Sequence, residues 1–127
     1  MTARDSLLAM HWSEDFHAEL FAAEPDVMSP VEMAFDENGK VYVAEMMDYP
    51  EDPPAGKPAR SRIRVLENVN GDGKTWRSSI FADNVLAVSG FMPWKGGLIV
   101  TSSRCTGGTS RRGRWWYCLG GSGSCTT

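Results

Sequence analysis

The chain has 127 residues, 42% of them hydrophobic and 23% charged, which are the proportions of a globular domain and not of a disordered or collagen-like chain. Its apolar runs, such as Leu98–Val100 and Leu20–Ala23, fall far short of the roughly 20 residues that a membrane-crossing helix needs, so no transmembrane segment is expected. Residues 1–103 hold nine Lys and Arg against all sixteen Asp and Glu, while residues 104–127 hold four Arg and no acid; the acidic body argues against a nucleic-acid partner, whose phosphates require basic side chains.

Residues 1–15 read as a lead-in. They lack a basic stretch followed by an apolar run, so no secretory signal is expected as the sequence stands, which leaves either a cytoplasmic protein or a start that lies upstream. Leu7, Leu8 and Met10, with Asp5 as a cap, predict one or two helical turns over Ser6 to Trp12. His11 and His17 have no second ligand or nucleophile near them in sequence and read as surface or structural histidines.

From Phe16 the pattern becomes short runs of strand composition separated by turn residues, the signature of an all-β fold. Val31–Phe35 and Lys40–Glu45 flank Asp36-Glu-Asn-Gly39, where Asn38-Gly39 supplies the positive φ angles of a tight turn; both strands are largely apolar, as strands packed on both faces are. A proline-rich stretch, Tyr49 to Pro58, marks an exposed loop. A second hairpin follows, Arg62–Leu66 and Trp76–Phe81, joined by residues 67–74.

An internal repeat organises these pieces. Residues 30–45 align without a gap on residues 87–102, placing Gly39 over Gly96 and Val41-Tyr-Val43 over Leu98-Ile-Val100, an offset of 57 residues. Two hairpins per period fit one four-stranded blade, so residues 16–103 are expected to be a partial β-propeller, its first blade and the start of a second. Met46-Met47 and Met92-Pro93-Trp94 are expected to pack between blades. Two unrelated hairpins with similar turns would give the same pattern.

Residues 104–127 break the period and contain six of the thirteen glycines and all three cysteines, Cys105, Cys118 and Cys125. The cysteine spacing matches no zinc, haem or redox motif. Arg111, Arg112, Arg114, Trp115 and Trp116 could be read as a surface for single-stranded nucleic acid, or the segment as a Gly/Ser tail. Joint enrichment in Arg, Gly, Trp, Cys, Ser and Thr favours a third reading, out-of-frame translation of a GC-rich gene.

Several residues can carry chemistry. Asn68, Asn70 and Asp72 put oxygen donors at the first, third and fifth positions of a loop with Gly73 at the sixth, the spacing that wraps Ca²⁺, although only one donor is anionic and Ser79 stands at the twelfth position. A Gly-rich hairpin turn is the alternative. Glu45, Asp48 and Tyr49 follow an inner strand and would lie on a propeller's ligand-bearing face, where a carboxylate can accept a hydroxyl proton or orient a quinone; solvated loop groups are the alternative. Arg60, Arg62 and Arg64 alternate along one strand face, suited to anion contact or to a solvated edge.

Asp15 to Asp36, Val43-Ala-Glu-Met-Met-Asp-Tyr-Pro50, Arg62-Ile-Arg-Val-Leu-Glu67, Asn70-Gly-Asp-Gly73 and Phe91-Met-Pro-Trp-Lys-Gly-Gly97 together resemble the start of the membrane-bound dehydrogenase propellers of planctomycetes and related bacteria, which are similar to glucose/sorbosone dehydrogenases. The resemblance covers residues 5–103. It implies an exported, periplasmic or membrane-associated parent that oxidises a sugar or alcohol with pyrroloquinoline quinone (PQQ) and Ca²⁺, with Glu45, Asp48, Tyr49 and Arg62 near the quinone and Asn68, Asn70 and Asp72 near the metal. It also implies electron transfer to a c-type cytochrome domain, whose Cys-x-x-Cys-His motif this chain does not contain. The family carries carboxylates where Asn68 and Asn70 stand. A non-catalytic propeller binding carbohydrate or protein, and a truncated product without function, are the competing readings.

Overall fold

In the computed structural model the described residues are 2–74 and 76–102, with Trp116–Cys118 described as backbone alone. The fold is all-β, with a single short helix among these residues.

Helix α1 spans Ala3–Leu8 and starts earlier than the apolar pattern suggests. Thr2 is its cap, accepting from the Asp5 N–H while the Asp5 carboxylate accepts from the Thr2 N–H. Asp5 is therefore the reciprocal acid of a capping box and not the cap itself. Its carboxyl is held below the usual range by these bonds from Thr2.

Four strands, β1 (Pro30–Phe35), β2 (Val41–Glu45), β3 (Arg62–Asn68) and β4 (Trp76–Ala82), form an antiparallel sheet in chain order. The β1–β2 turn follows from Asp36, whose Oδ1 accepts from the N–H groups of Asn38 and Lys40. Gly39 alone takes a positive φ there, +75°, a backbone region that costs an ordinary residue about 1 kcal/mol or more. Every residue of β2 is buried, because this central strand is covered on both faces. The edge strand β1 is not: Val31, Met33 and Phe35 are exposed.

A second sheet begins with β5 (Val88–Trp94) and β6 (Gly97–Ser102), an antiparallel hairpin, and β7 (Trp116–Cys118) pairs parallel with β6. The β1–β2 and β5–β6 hairpins are repeats of one design, each broken by a register shift at the same place, Pro30/Glu32 and Val88/Gly90. The ungapped alignment needs one correction. β2 and β6 correspond at an offset of 57, but β1 and β5 at 58, since Met33 faces Val43 as Phe91 faces Val100. The second turn is one residue shorter, a two-residue connection in which Lys95 and Gly96 both have positive φ, as tight hairpins require.

The two sheets share one core. Tyr42, Ala44, Ile63, Val65 and Phe81 of the first sheet pack with Val88, Phe91, Leu98 and Val100 of the second, and Tyr42 meets Phe81 edge to face at 5.1 Å. On the opposite face of the first sheet a smaller cluster of Val27, Val41, Val43 and Leu66 is covered by Ala22 and Trp76. The chain before β1 is thus laid across that face, and the Phe21 and Trp76 rings meet at 4.7 Å with their planes tilted by 57°. The Met92-Pro93-Trp94 expectation needs correcting: Met92 and Trp94 are exposed, and Phe91 makes the contact between sheets.

Candidate functional site

Three of the residues expected to bear chemistry, Glu45, Arg62 and Arg64, meet at the end of β2. Glu45 closes that strand opposite Arg62, with Arg64 two residues further along β3 and facing Val43. The strand period of two puts Glu45, Arg62 and Arg64 on one face. Arg62 Nε donates to Glu45 Oε2 at 2.5 Å and Arg64 Nε to Oε1 at 2.9 Å. The Met28 N–H donates to the same carboxylate at 2.7 Å. With the Glu45 side chain 0% exposed, this is a desolvated carboxylate between two partly buried guanidinium groups, whose partners offset the cost of its removal from water.

The surrounding bonds extend the network into the fold. Arg64 Nη1 donates to Ser78 Oγ on β4 at 2.9 Å, and Ser78 Oγ donates to the Asp26 carbonyl at 2.6 Å. Three strands and the segment before β1 are therefore held together through one carboxylate. Arg62 and Arg64 do not line a solvated edge, as their alternation allowed; both are part-buried in this network.

Asp48 is buried three residues further on. One of its oxygens accepts from the Ser61 N–H, the Ser61 hydroxyl and the Arg60 N–H, all within 2.8 Å, and the other from Arg60 Nε at 3.3 Å. Ser61 Oγ in turn accepts from the N–H groups of Met47 and Asp48. Burial raises the Asp48 carboxyl, and the hydrogen bonds from Ser61 and Arg60 outweigh it, leaving the group below its ordinary value. This reciprocal arrangement closes the loop between β2 and β3. Tyr49, by contrast, is 79% exposed and shares no contact with Glu45 or Arg62 among those described.

Asn68 ends β3, and Asn70 and Asp72 lie in the exposed β3–β4 loop. Gly71 and Gly73 both take positive φ, and Asp72 Oδ1 accepts from the Lys74 N–H at 2.8 Å. Asn68 Oδ1 is a buried oxygen with no hydrogen-bond partner among the described residues. These donors fit a weak Ca²⁺ site at best in strength, since one carboxylate and two amides provide little of the six to eight oxygens the ion takes. No group of three or more His, Cys, Asp or Glu suited to a metal occurs among the described residues.

The quinone is a different case. Its expected holders Glu45 and Arg62 are bonded to each other, and Asp48 is enclosed by Ser61 and Arg60. These side chains do not fit a quinone-binding role. Sequence reasoning found Glu45, Asp48 and Arg62 but missed Ser61 and the backbone of Met28. Cross-strand register was the signal available, because a hairpin that sets Glu45 against Arg62 pairs charges that otherwise look solvent-facing. The tail residues singled out for nucleic-acid contact or out-of-frame origin lie outside those described, apart from the Trp116–Cys118 backbone.

Residues 2–105 match the family model described as a domain of unknown function, DUF7133, and the chain belongs to that family. No curated protein and no solved structure matches it.

Proposed function

We propose that this DUF7133 chain is the N-terminal part of a β-propeller of the quinone-dependent sugar or alcohol dehydrogenase type, in which its own residues are scaffold. The carrying observation is the repeated hairpin: two sheets opened by the same bulged strand pair and packed face to face on a shared core, the relationship of successive blades. The dehydrogenase assignment draws on the sequence resemblance. In it, the full-length parent is periplasmic or membrane-associated, binds PQQ through residues other than the paired Glu45, Asp48 and Arg62, and passes electrons to a c-type cytochrome.

When bound, the quinone supplies the hydride acceptor. What this chain contributes is rigidity. The Glu45–Arg62–Arg64 network holds β2, β3 and the segment before β1 in register, and the Asp48–Ser61 pair closes the loop that leaves the strand ends. Calcium at the β3–β4 loop, on Asn68, Asn70 and Asp72, belongs to the same proposal as a weak site.

A second reading, a propeller that binds carbohydrate or protein without catalysis, is favoured by the internal pairing of these carboxylates, which leaves them no evident part in proton transfer. The two are separated by supplying the full-length protein with PQQ and Ca²⁺ and following reduction of an artificial electron acceptor across sugars and alcohols. Substrate-dependent reduction supports the dehydrogenase; a loaded protein that binds a sugar yet reduces nothing supports the binding module.

A further inference from the structure

Two of the chain's asparagines are followed by glycine, Asn38-Gly39 and Asn70-Gly71. Such a pair is chemically labile, because a glycine has no side chain to hinder attack by its own amide nitrogen on the residue before it. In that reaction the glycine nitrogen bonds to the asparagine Cγ, the Cγ–Nδ2 bond breaks, and Nδ2 leaves as ammonia with the proton the backbone nitrogen gives up. Water then opens the succinimide at either carbonyl, and either product, aspartate or isoaspartate, carries one new negative charge. The step needs only a glycine N–H that is not committed elsewhere and a side chain able to turn back onto it.

Both pairs lie on exposed hairpin connections, but the fold treats them differently. At the β1–β2 turn the Gly39 N–H donates to the Asp36 carbonyl at 3.1 Å, and the Asp36 N–H donates to the Lys40 carbonyl. The N–H groups of Asn38 and Lys40 both donate to Asp36 Oδ1. Attack by Gly39 therefore requires this closed turn to open first. In the β3–β4 loop neither the Gly71 N–H nor the Asn70 side chain has a hydrogen-bond partner among the described residues. The bond from the Lys74 N–H to Asp72 Oδ1 lies beyond the pair. A Cβ built on Gly71 would meet nothing within 4 Å, so the space beside this nitrogen is open.

We propose that Asn70 is a site of spontaneous deamidation in the folded chain, and that Asn38 is held against the same reaction by its bonds through Asp36. The consequence falls on the β3–β4 loop. Conversion puts a second carboxylate two residues from Asp72, and Ca²⁺ loops gain affinity with the number of charged ligands. The effect on calcium rests on the weak site proposed above, whereas the modification itself does not.

The test is peptide mapping by mass spectrometry of the 127-residue chain aged in mildly alkaline buffer, native and in parallel in concentrated guanidinium chloride. Trypsin separates the two sites, since Asn70 lies in the peptide of residues 65–74 and Asn38 in that of residues 5–40. The rate in denaturant is each site's own reference and absorbs the difference between the preceding residues, Val69 and Glu37. Native Asn70 should convert at close to its unfolded rate, while Asn38 should be slowed on the order of tenfold or more, as a protected turn is. Equal protection of the two sites, or protection of Asn70 by that factor, would overturn the proposal. Calorimetry on Asn70→Asp then reads the effect on the metal, with binding of Ca²⁺ expected to be several-fold tighter than in the unaged chain. A variant that binds no more tightly than a wild type that does bind would overturn that effect. If Asn70 converts and neither chain takes up Ca²⁺, calcium is removed from the loop and the modification site stands.

Discussion

Arg62 and Glu45 stand directly opposite one another on β3 and β2, and the 2.5 Å bond between them lies against a carboxylate with no exposed surface. Arg64 and the Met28 N–H complete its coordination. A carboxylate so enclosed acts first on the fold.

Replacing Glu45 by Gln leaves two part-buried guanidinium groups without their counter-charge. Breaking a buried ion pair from one side costs about 3 kcal/mol or more, so Glu45→Gln should lower the unfolding free energy by that amount, read as a lower urea midpoint with an unchanged slope. Equilibrium unfolding followed by tryptophan fluorescence measures it. A change below about 0.5 kcal/mol, the range of ordinary surface substitutions, would show that the carboxylate does not hold the strands.

Asp48 should leave a mark on the acid limb of stability. Burial works against its charge, but the bonds from Ser61 and Arg60 hold its carboxyl below the ordinary value in the folded chain, while the unfolded chain restores a value near 3.9, roughly that of a free Asp. The folded form therefore binds the proton less readily. Its stabilising contribution is complete above the unfolded value and is lost as pH falls through the folded one. Asp48→Asn should be less stable than wild type at neutral pH, and the difference should shrink on acidification below about pH 4. Urea titrations across that interval test this, and a constant difference would count against the assignment.

The β3–β4 loop makes a separate prediction. With Asp72 as its one anionic donor, the loop should take up Ca²⁺ only in the millimolar range typical of weak sites, roughly 10⁻⁴ to 10⁻³ M. Asp72→Asn should abolish the heat of binding in calorimetry while leaving the sheet intact. No heat from the wild-type chain at millimolar Ca²⁺ would remove the metal from this loop.

Much of the fold was legible because its signals are local. Asn38-Gly39 announces the first hairpin, and the repetition of Gly39 as Gly96 and of Val41-Tyr-Val43 as Leu98-Ile-Val100 announces the second sheet. The one-residue difference between the turns was not legible, since an ungapped match hides a shortened loop when few identities anchor it. The helix start moved because Thr2 and Asp5 form a reciprocal pair, which apolar spacing does not reveal. At the site, sequence placed Glu45, Asp48 and Arg62 correctly at the strand ends but assigned them to solvent or ligand. Their real partners, Ser61 and the Met28 backbone, come from segments whose positions depend on register and on how residues 21–29 cross the sheet.

The shared core between the two sheets is the relationship on which the blade reading depends. Phe81→Ala, which removes the ring against Tyr42, should cost about 3–5 kcal/mol, as large cavities in cores do. Native-state hydrogen exchange measured residue by residue on wild type and Phe81→Ala tests the sharing most directly. Val43 and Val65 of the first sheet and Val100 of the second should open with one common free energy and lose it together in the variant. Protection of Val43 and Val65 that persists while Val100 exchanges freely, or a variant that loosens the first sheet alone, would contradict two repeats built on a single core.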